Sequence, residues 1–202
     1  AADISDTTNA VTVSINPRIT SATYDASSGA LVVTATNLQA NGGGADIDAS
    51  LFTFTGEDGT TYTLTDSADV EITSASEFTI TLSATDKTAI NQIVNKNGTV
   101  STGGTTYNLA AADDWNTQVT SGNTSDTTSN GITASNVTAP VITSATYDAS
   151  TDALAVTGTD FLKAGGATND IDASQFTFTG EGGETYTLTD STDVEIASGT
   201  GE

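Results

Sequence analysis

Short carboxylate pairs are the residues of this chain with the clearest potential for chemistry. Asp46 and Asp48 follow the glycine-rich stretch 41–45, and the same pair returns as Asp170 and Asp172. Side chains two residues apart in an extended segment share a face. Each pair therefore offers carboxylate oxygens, the ligands that Ca²⁺ takes together with backbone carbonyls. The sequence predicts a calcium site at each pair.

Other oxygen ligands lie beside these pairs or near the joins between repeats. Asn169 precedes one pair, and Asp6 and Asp126 lie near a repeat junction, where an ion between domains would stiffen a rod. Two alternatives stay open: Asp48 or Ser50 caps a turn before the next strand, or the acids form a solvated shell. The expected metal ligands are Asp46, Asp48, Asp170, Asp172, Asn169, Asp6 and Asp126.

Asp113 and Asp114 stand beside Trp115, the single tryptophan, which invites comparison with a glycosidase acid pair and a sugar-stacking ring. Adjacent acids on a helix point apart, whereas glycosidase carboxylates flank one bond at a defined separation. We expect instead a short helix over 110–119, with the acids near its start and Trp115 in the core. The chain has no Cys and no His, which removes thiolate metal sites and the Ser-His-Asp triad. We expect no enzyme.

The charge balance excludes two classes of partner. The chain carries 26 acidic and 4 basic residues, a formal charge of −22. Nucleic acids and anionic membranes both need a basic patch to replace their counterions. There is no apolar run near the roughly 20 residues of a membrane helix. The expected partners are neighbouring repeats or other copies of the chain.

The chain repeats itself at a period of about 123 residues. Residues 19–27 return as 142–150, and residues 46–72 return as 170–196 with 23 of 27 positions identical. A period this long indicates whole domains in tandem. We divide the chain into residues 1–16, the terminal strand of a preceding repeat, 17–139, a complete repeat, and 140–202, a C-terminally incomplete repeat.

Alternation of apolar and polar residues predicts a β fold. Residues 31–33, 52–54, 62–64, 70–72 and 78–82 are expected strands, separated by turn residues as in a β-sandwich. Asp58-Gly59 indicates a hairpin. Ser83–Asp86 resembles a capping box that opens a helix over 84–97, and the polar stretch 120–131 is an expected surface loop or hinge.

The last repeat has no counterpart of residues 78–97 in the sequence. Two explanations stay open. The chain is a segment whose ends ignore the domain boundaries, or a half-domain is completed by another chain, giving a head-to-tail polymer by strand addition.

The opening of each repeat resembles a known pattern. Residues 17–25 with 30–38, and again residues 153–161 (Ala-Leu-Ala-Val-Thr-Gly-Thr-Asp-Phe), are similar to the first hairpin of bacterial Ig-like repeats. Such repeats occur in large calcium-dependent surface adhesins and other secreted surface proteins. The resemblance implies tandem Ig-like β-sandwiches with a short helical insert, located outside the cell. It implies a structural role in a fibre, adhesin stalk or layer, with a carbohydrate- or protein-binding adhesion module as the alternative.

Overall fold

The computed structural model describes residues 16–120, 122–163 and 170–196. The protein is mainly β, with several sheets and one α-helix. The strands are β1 (Arg18–Asp25), β2 (Ala30–Thr36), β3 (Phe52–Thr55), β4 (Thr61–Thr63), β5 (Glu77–Thr81), β6 (Asn108–Ala111), β7 (Ile132–Ser135), β8 (Val141–Asp148), β9 (Ala153–Thr159), β10 (Thr177–Thr179) and β11 (Thr185–Thr187), and α1 spans Ala84–Ile93.

We call residues 17–139 the first repeat and residues 140–202 the second repeat. Two sheets of the first repeat enclose one core. One sheet has the order β5-β2-β1-β7 and the other β4-β3-β6. Their inward side chains pack together in a single buried cluster. Rings from the two sheets meet directly, Tyr24 against Phe54 with centroids 5.7 Å apart and Phe52 against Phe78 at 5.8 Å. This arrangement is consistent with a β-sandwich.

Strands β1 and β7 join the beginning and the end of the first repeat. They run parallel, with Cα pairing from Ala22 with Ile132 to Asp25 with Ser135. Bonds outside the strand pairing extend the ladder at both ends: the Ala22 N–H donates to Gly131 O at 3.1 Å, and the Ala26 N–H donates to Ser135 O at 2.9 Å. Every other named strand pair is antiparallel.

The hairpin expected at Asp58-Gly59 is confirmed. β3 and β4 pair from Thr53–Thr63 to Thr55–Thr61 around a short 3₁₀ turn. Asp58 adopts a φ of 51°, a left-handed conformation that Asp tolerates better than most residues. Gly182 takes the equivalent position in the second repeat. The expected strand over 70–72 is reduced to a single bridge between Val70 and Ile47.

The helix begins where the sequence predicts and ends earlier. The Ser83 hydroxyl accepts a bond from the Asp86 N–H at 3.1 Å, as a capping residue does. The helix ends at Ile93 rather than at 97. Asn95 leaves the helical path because its side chain donates to Glu57 at 2.8 Å and accepts from the Thr102 N–H at 3.0 Å.

The helix expected over 110–119 is wrong. Residues 108–111 form β6, which pairs with β3, and the following residues form turns. The Asp113 carboxylate accepts bonds from the N–H groups of Asp114 and Thr124, and Asp114 has a φ of 63°. Sheet pairing and this turn outweigh the weak helical preference of the alanines. Trp115 is fully buried, as expected.

Most described residues of the stretch 120–131 are exposed, as expected for a surface loop. Thr124, Asp126 and Asn130 are buried. The Asn130 side chain donates to Leu109 O and Asp126 O, both at 3.0 Å. Three buried polar residues therefore anchor this loop to the fold.

The second repeat contains two hairpins, β8–β9 and β10–β11. A contact between Tyr147 and Phe178, with centroids 5.9 Å apart, reproduces the Tyr24–Phe54 contact of the first repeat. Within residues 141–163 and 170–196 there is no counterpart of β5, α1, β6 or β7. The strand expected in residues 1–16 lies outside the described residues, except for Asn16. No helix in the described ranges is long and apolar enough to span a membrane.

Candidate functional site

Asp46 and Asp48 serve two different local purposes. Asp46 is fully buried, and its two carboxylate oxygens accept the N–H groups of Asn41 at 3.1 Å and Ile72 at 3.2 Å. Asp48 caps the short 3₁₀ helix before β3, accepting from the N–H and hydroxyl of Ser50. The capping alternative for Asp48 is therefore confirmed.

Asp126 lies in the segment that precedes β7 and holds this segment against the start of β1. One carboxylate oxygen accepts the Ile19 N–H at 2.9 Å. The other accepts from the Asn130 amide at 3.2 Å and lies 3.9 Å from an Arg18 nitrogen. Asp126 is 5% exposed whereas Arg18 is 70% exposed. Solvent therefore screens the ion pair, and the N–H bonds to Asp126 carry most of the interaction.

In the second repeat, Asp170 and Asp172 repeat the contacts of the first pair. Asp170 accepts the Ile196 N–H at 3.0 Å, and Asp172 caps a 3₁₀ helix through Ser174. One feature differs. Burial, followed by the hydrogen bond and negative charge of Asp170, raises the pKa of Glu195.

These contacts give calcium little room in the first repeat. N–H groups donate to both carboxylate oxygens of Asp46 and of Asp126. Because a cation would have to approach these same oxygens, the two residues do not fit a calcium ion in this arrangement. Asp170 also accepts an N–H, from Ile196 at 3.0 Å, and it lies beside the second acid Glu195. No group of three or more acidic side chains in the described ranges is placed to hold a metal. Asp6 and Asn169 lie outside the described residues, and the calcium sites stay a prediction.

Trp115 gives no platform for a sugar. It is 0% exposed, its indole N–H donates to Thr124 O at 2.9 Å, and its ring packs on Phe52 and Phe78. The neighbouring Asp113 is used in a turn, where the N–H and hydroxyl of Thr124 lower its pKa.

Asp86 is the residue that the sequence reasoning missed. Its carboxylate is fully buried and accepts six hydrogen bonds from four residues: Tyr62 OH, the N–H and hydroxyl of Thr65, the Asp66 N–H, and the N–H and hydroxyl of Ser67. Burial alone would raise the pKa of Asp86, but these donors lower it to about 2. The capping box was a partial signal. Its Ser83–Asp86 bond forms, but the Ser83 N–H donates to Ser67 rather than to Asp86.

The most unusual surface is the open side of the second repeat. The five large hydrophobic side chains that are exposed in the described part of the chain all belong to the second repeat: Val141, Ile142, Tyr147, Tyr186 and Val194. Ile142 and Tyr147 are 53% and 54% exposed, whereas the equivalent Ile19 and Tyr24 are 4% and 0% exposed. The first repeat covers this side with β5, α1, β6 and β7.

Comparison with known proteins adds no relative: no family model, no curated protein and no solved structure matches this chain.

Proposed function

We propose that the chain is a structural module of an extracellular bacterial surface protein, in which tandem Ig-like sandwiches extend or assemble a fibre, adhesin stalk or layer. The observation that carries the proposal is the parallel pairing of β1 with β7. The repetition of nearly identical domains and the acidic composition support the same interpretation, as does the resemblance to bacterial Ig-like repeats.

Parallel pairing of the two end strands gives the first repeat a mechanical property. The chain enters β1 at Arg18, at one end of the ladder, and leaves β7 at Ser135, at the opposite end. Tension between the two ends therefore pulls β1 and β7 in opposite directions along their length. The ladder bonds, perpendicular or slanted to that direction, share the load in shear rather than breaking one after another.

Side-chain bonds reinforce the same ladder. Asp126 accepts the Ile19 N–H at the entry end of β1. At the other end, the Asn136 amide donates to Asp25 at 2.8 Å. These bonds join the two strands beyond their four paired residues, so that shearing requires the loss of contacts along the whole of β1.

The adhesion-module alternative has less support. Trp115 is buried, and the pairs of acids are occupied by N–H donors. The parallel pairing of β1 with β7 supports the structural role instead.

Force spectroscopy with two attachment geometries tests the proposal. Because the chain has no Cys, Asn16→Cys with Thr138→Cys attaches handles that shear the β1–β7 ladder. Ser28→Cys with Thr138→Cys attaches them at one end of the ladder and unzips it, with the same fold. We expect a rupture force several-fold higher in the shearing geometry, with release of about 400 Å of chain for residues 18–135. Equal forces in the two geometries would refute a force-bearing role.

A further inference from the structure

We propose that residues 9–14 of a second copy of this chain add to the free edge of β8 as a parallel strand, joining copies head to tail. The inference rests on the proposed structural function and deepens it by naming the partner. The segment belongs to the part of the chain outside the described residues, and the argument uses its sequence only.

The free edge of β8 is the same surface that β7 covers in the first repeat. Residues 142–149 are identical to residues 19–26 at all eight positions. In the first repeat, the N–H groups of Ile19, Ala22 and Ala26 donate to Asp126, Gly131 and Ser135 respectively. For the equivalent Ile142, Ala145 and Ala149, the described residues supply no counterpart of those acceptors.

The β7 strand of the same chain cannot reach this edge. Only five residues, 136–140, separate β7 from β8. Two parallel strands that neighbour each other need a connection of a dozen or more residues to return to the starting end. In addition, β7 already occupies the edge of β1. The β7 strand of the same chain therefore does not fill the edge of β8.

Residues 5–14 carry the groups that the β7 segment uses. Ser-Asp-Thr-Thr-Asn-Ala-Val-Thr-Val-Ser aligns with residues 125–135 at seven of ten positions, with one residue fewer opposite Ser129. Ser129 is a turn residue with a φ of 67°, outside the ladder. Asp6 matches Asp126, and Asn9 matches Asn130. Both members of the bonded pair that anchors the segment are present.

The apolar side chains also match. Ile132 and Ala134 of β7 are buried and face Ala22 and Tyr24 in the register. Val11 and Val13 fall at these positions, opposite Ala145 and the exposed Tyr147. The two surfaces are different parts of the chain, so the contact is heterologous, and unless the rotation between copies closes a ring, it builds an open filament. Strand addition to an unpaired edge is a known mode of association.

Disulfide trapping tests the register. Thr23 pairs with Thr133 in the first repeat, and the equivalent pair between copies is Thr146 with Thr12. We expect a mixture of T12C and T146C chains to form a disulfide-linked dimer on oxidation, and a chain with both changes to form a ladder of oligomers. T23C/T133C, which should close within one chain, checks that parallel pairs in this sheet can be bridged. T12C with T143C, three residues or about 10 Å out of register, should not link.

Two outcomes overturn the proposal. One is the absence of T12C–T146C dimers while T23C/T133C closes. The other is a T12C/T146C chain that forms only an internal disulfide, which would mean that the segment folds back on its own copy.

Mass measurement on the chain without cysteines gives an independent readout. We expect its weight-average mass to rise with concentration to at least double the 20.3 kDa monomer. Val13→Asp should abolish this growth and leave unfolding of the first repeat, followed by Trp115 fluorescence, unchanged. Equal growth in Val13→Asp would mean non-specific aggregation and overturn the proposal. If growth fails while the two pulling geometries still differ in force, the structural function stands without the strand exchange.

Discussion

The buried carboxylate of Asp86 gives the sharpest test of how the first repeat is held together. Asp86→Asn preserves the shape of the side chain but replaces one oxygen by an NH₂ group. Each oxygen of Asp86 accepts three hydrogen bonds, from Tyr62 and Thr65 at one oxygen and from Asp66 and Ser67 at the other. Whichever oxygen is replaced, three donors then face another donor.

The magnitude follows from those donors. A buried donor left without an acceptor costs about 1–3 kcal/mol, and the hydroxyl donors can recover part of this by rotating. We therefore expect Asp86→Asn to lower the free energy of unfolding by about 3–4 kcal/mol. For a domain of this size, that corresponds to a fall of about 10–15 °C in Tm. Trp115 fluorescence is the assay, because the single tryptophan lies in the core of the first repeat.

Acid titration adds a second signature. The folded pKa of Asp86, about 2, lies below the value near 3.9 of an unfolded Asp. The charged form therefore stabilises the fold fully above about pH 4, and this contribution is lost as the pH falls through 2. The difference in stability between the native chain and Asp86→Asn should narrow over this range.

The repeat supplies a matched control. The Ser67 hydroxyl donates to Asp86 at 2.6 Å, whereas the equivalent Ser191 is exposed and makes no such bond among the described residues. Ser67→Ala should cost about 1–2 kcal/mol, and Ser191→Ala should cost almost nothing. An Asp86→Asn chain that unfolds within a few degrees of the native chain at pH 7 would refute this account.

Three further predictions concern other residues. Tyr24→Ala should lower the free energy of unfolding of the first repeat by about 3–5 kcal/mol, because it empties a fully buried site. The equivalent Tyr147 is about half exposed, so Tyr147→Ala should leave the unfolding transition followed by Trp115 fluorescence unchanged. Equal effects of the two changes in thermal melts would contradict the assignment of an open face. Asn130→Ala should cost about 2–3 kcal/mol in urea unfolding, because its amide donates to two buried carbonyls; a loss below about 0.5 kcal/mol would count against it. Calcium in place of a chelator should raise the calorimetric midpoint by a few degrees in the native chain but not in Glu195→Gln. Equal midpoints of the native chain in calcium and in chelator would contradict the predicted calcium site in the second repeat.

Several elements were predictable because their signals are local. The strands around residues 31–33, 52–54 and 78–82 alternate apolar and polar residues, and one face of each is buried in the structure. The turn at Asp58-Gly59 needs only a left-handed backbone between two such strands. The start of α1 at Ser83 depends on a bond between residues three apart.

Other elements were wrong or missed because their partners are distant in the chain. A helix was expected over residues 110–119, but residues 108–111 form β6 because β3 offers an unpaired edge more than 50 residues earlier. In the polar loop 120–131, Asp126 and Asn130 are buried because they supply an acceptor to Ile19 and a donor to Leu109.

Sequence alone determined the duplication and the β character, because repetition and periodicity are properties of the chain itself. Only the tertiary structure decided which acids are internal. Asp86 and Asp46 are indistinguishable from surface acids in the sequence, and their donors come from residues between 5 and 26 positions away. Burying a carboxylate is stable only when several donors surround it, and the fold rather than the composition brings those donors together.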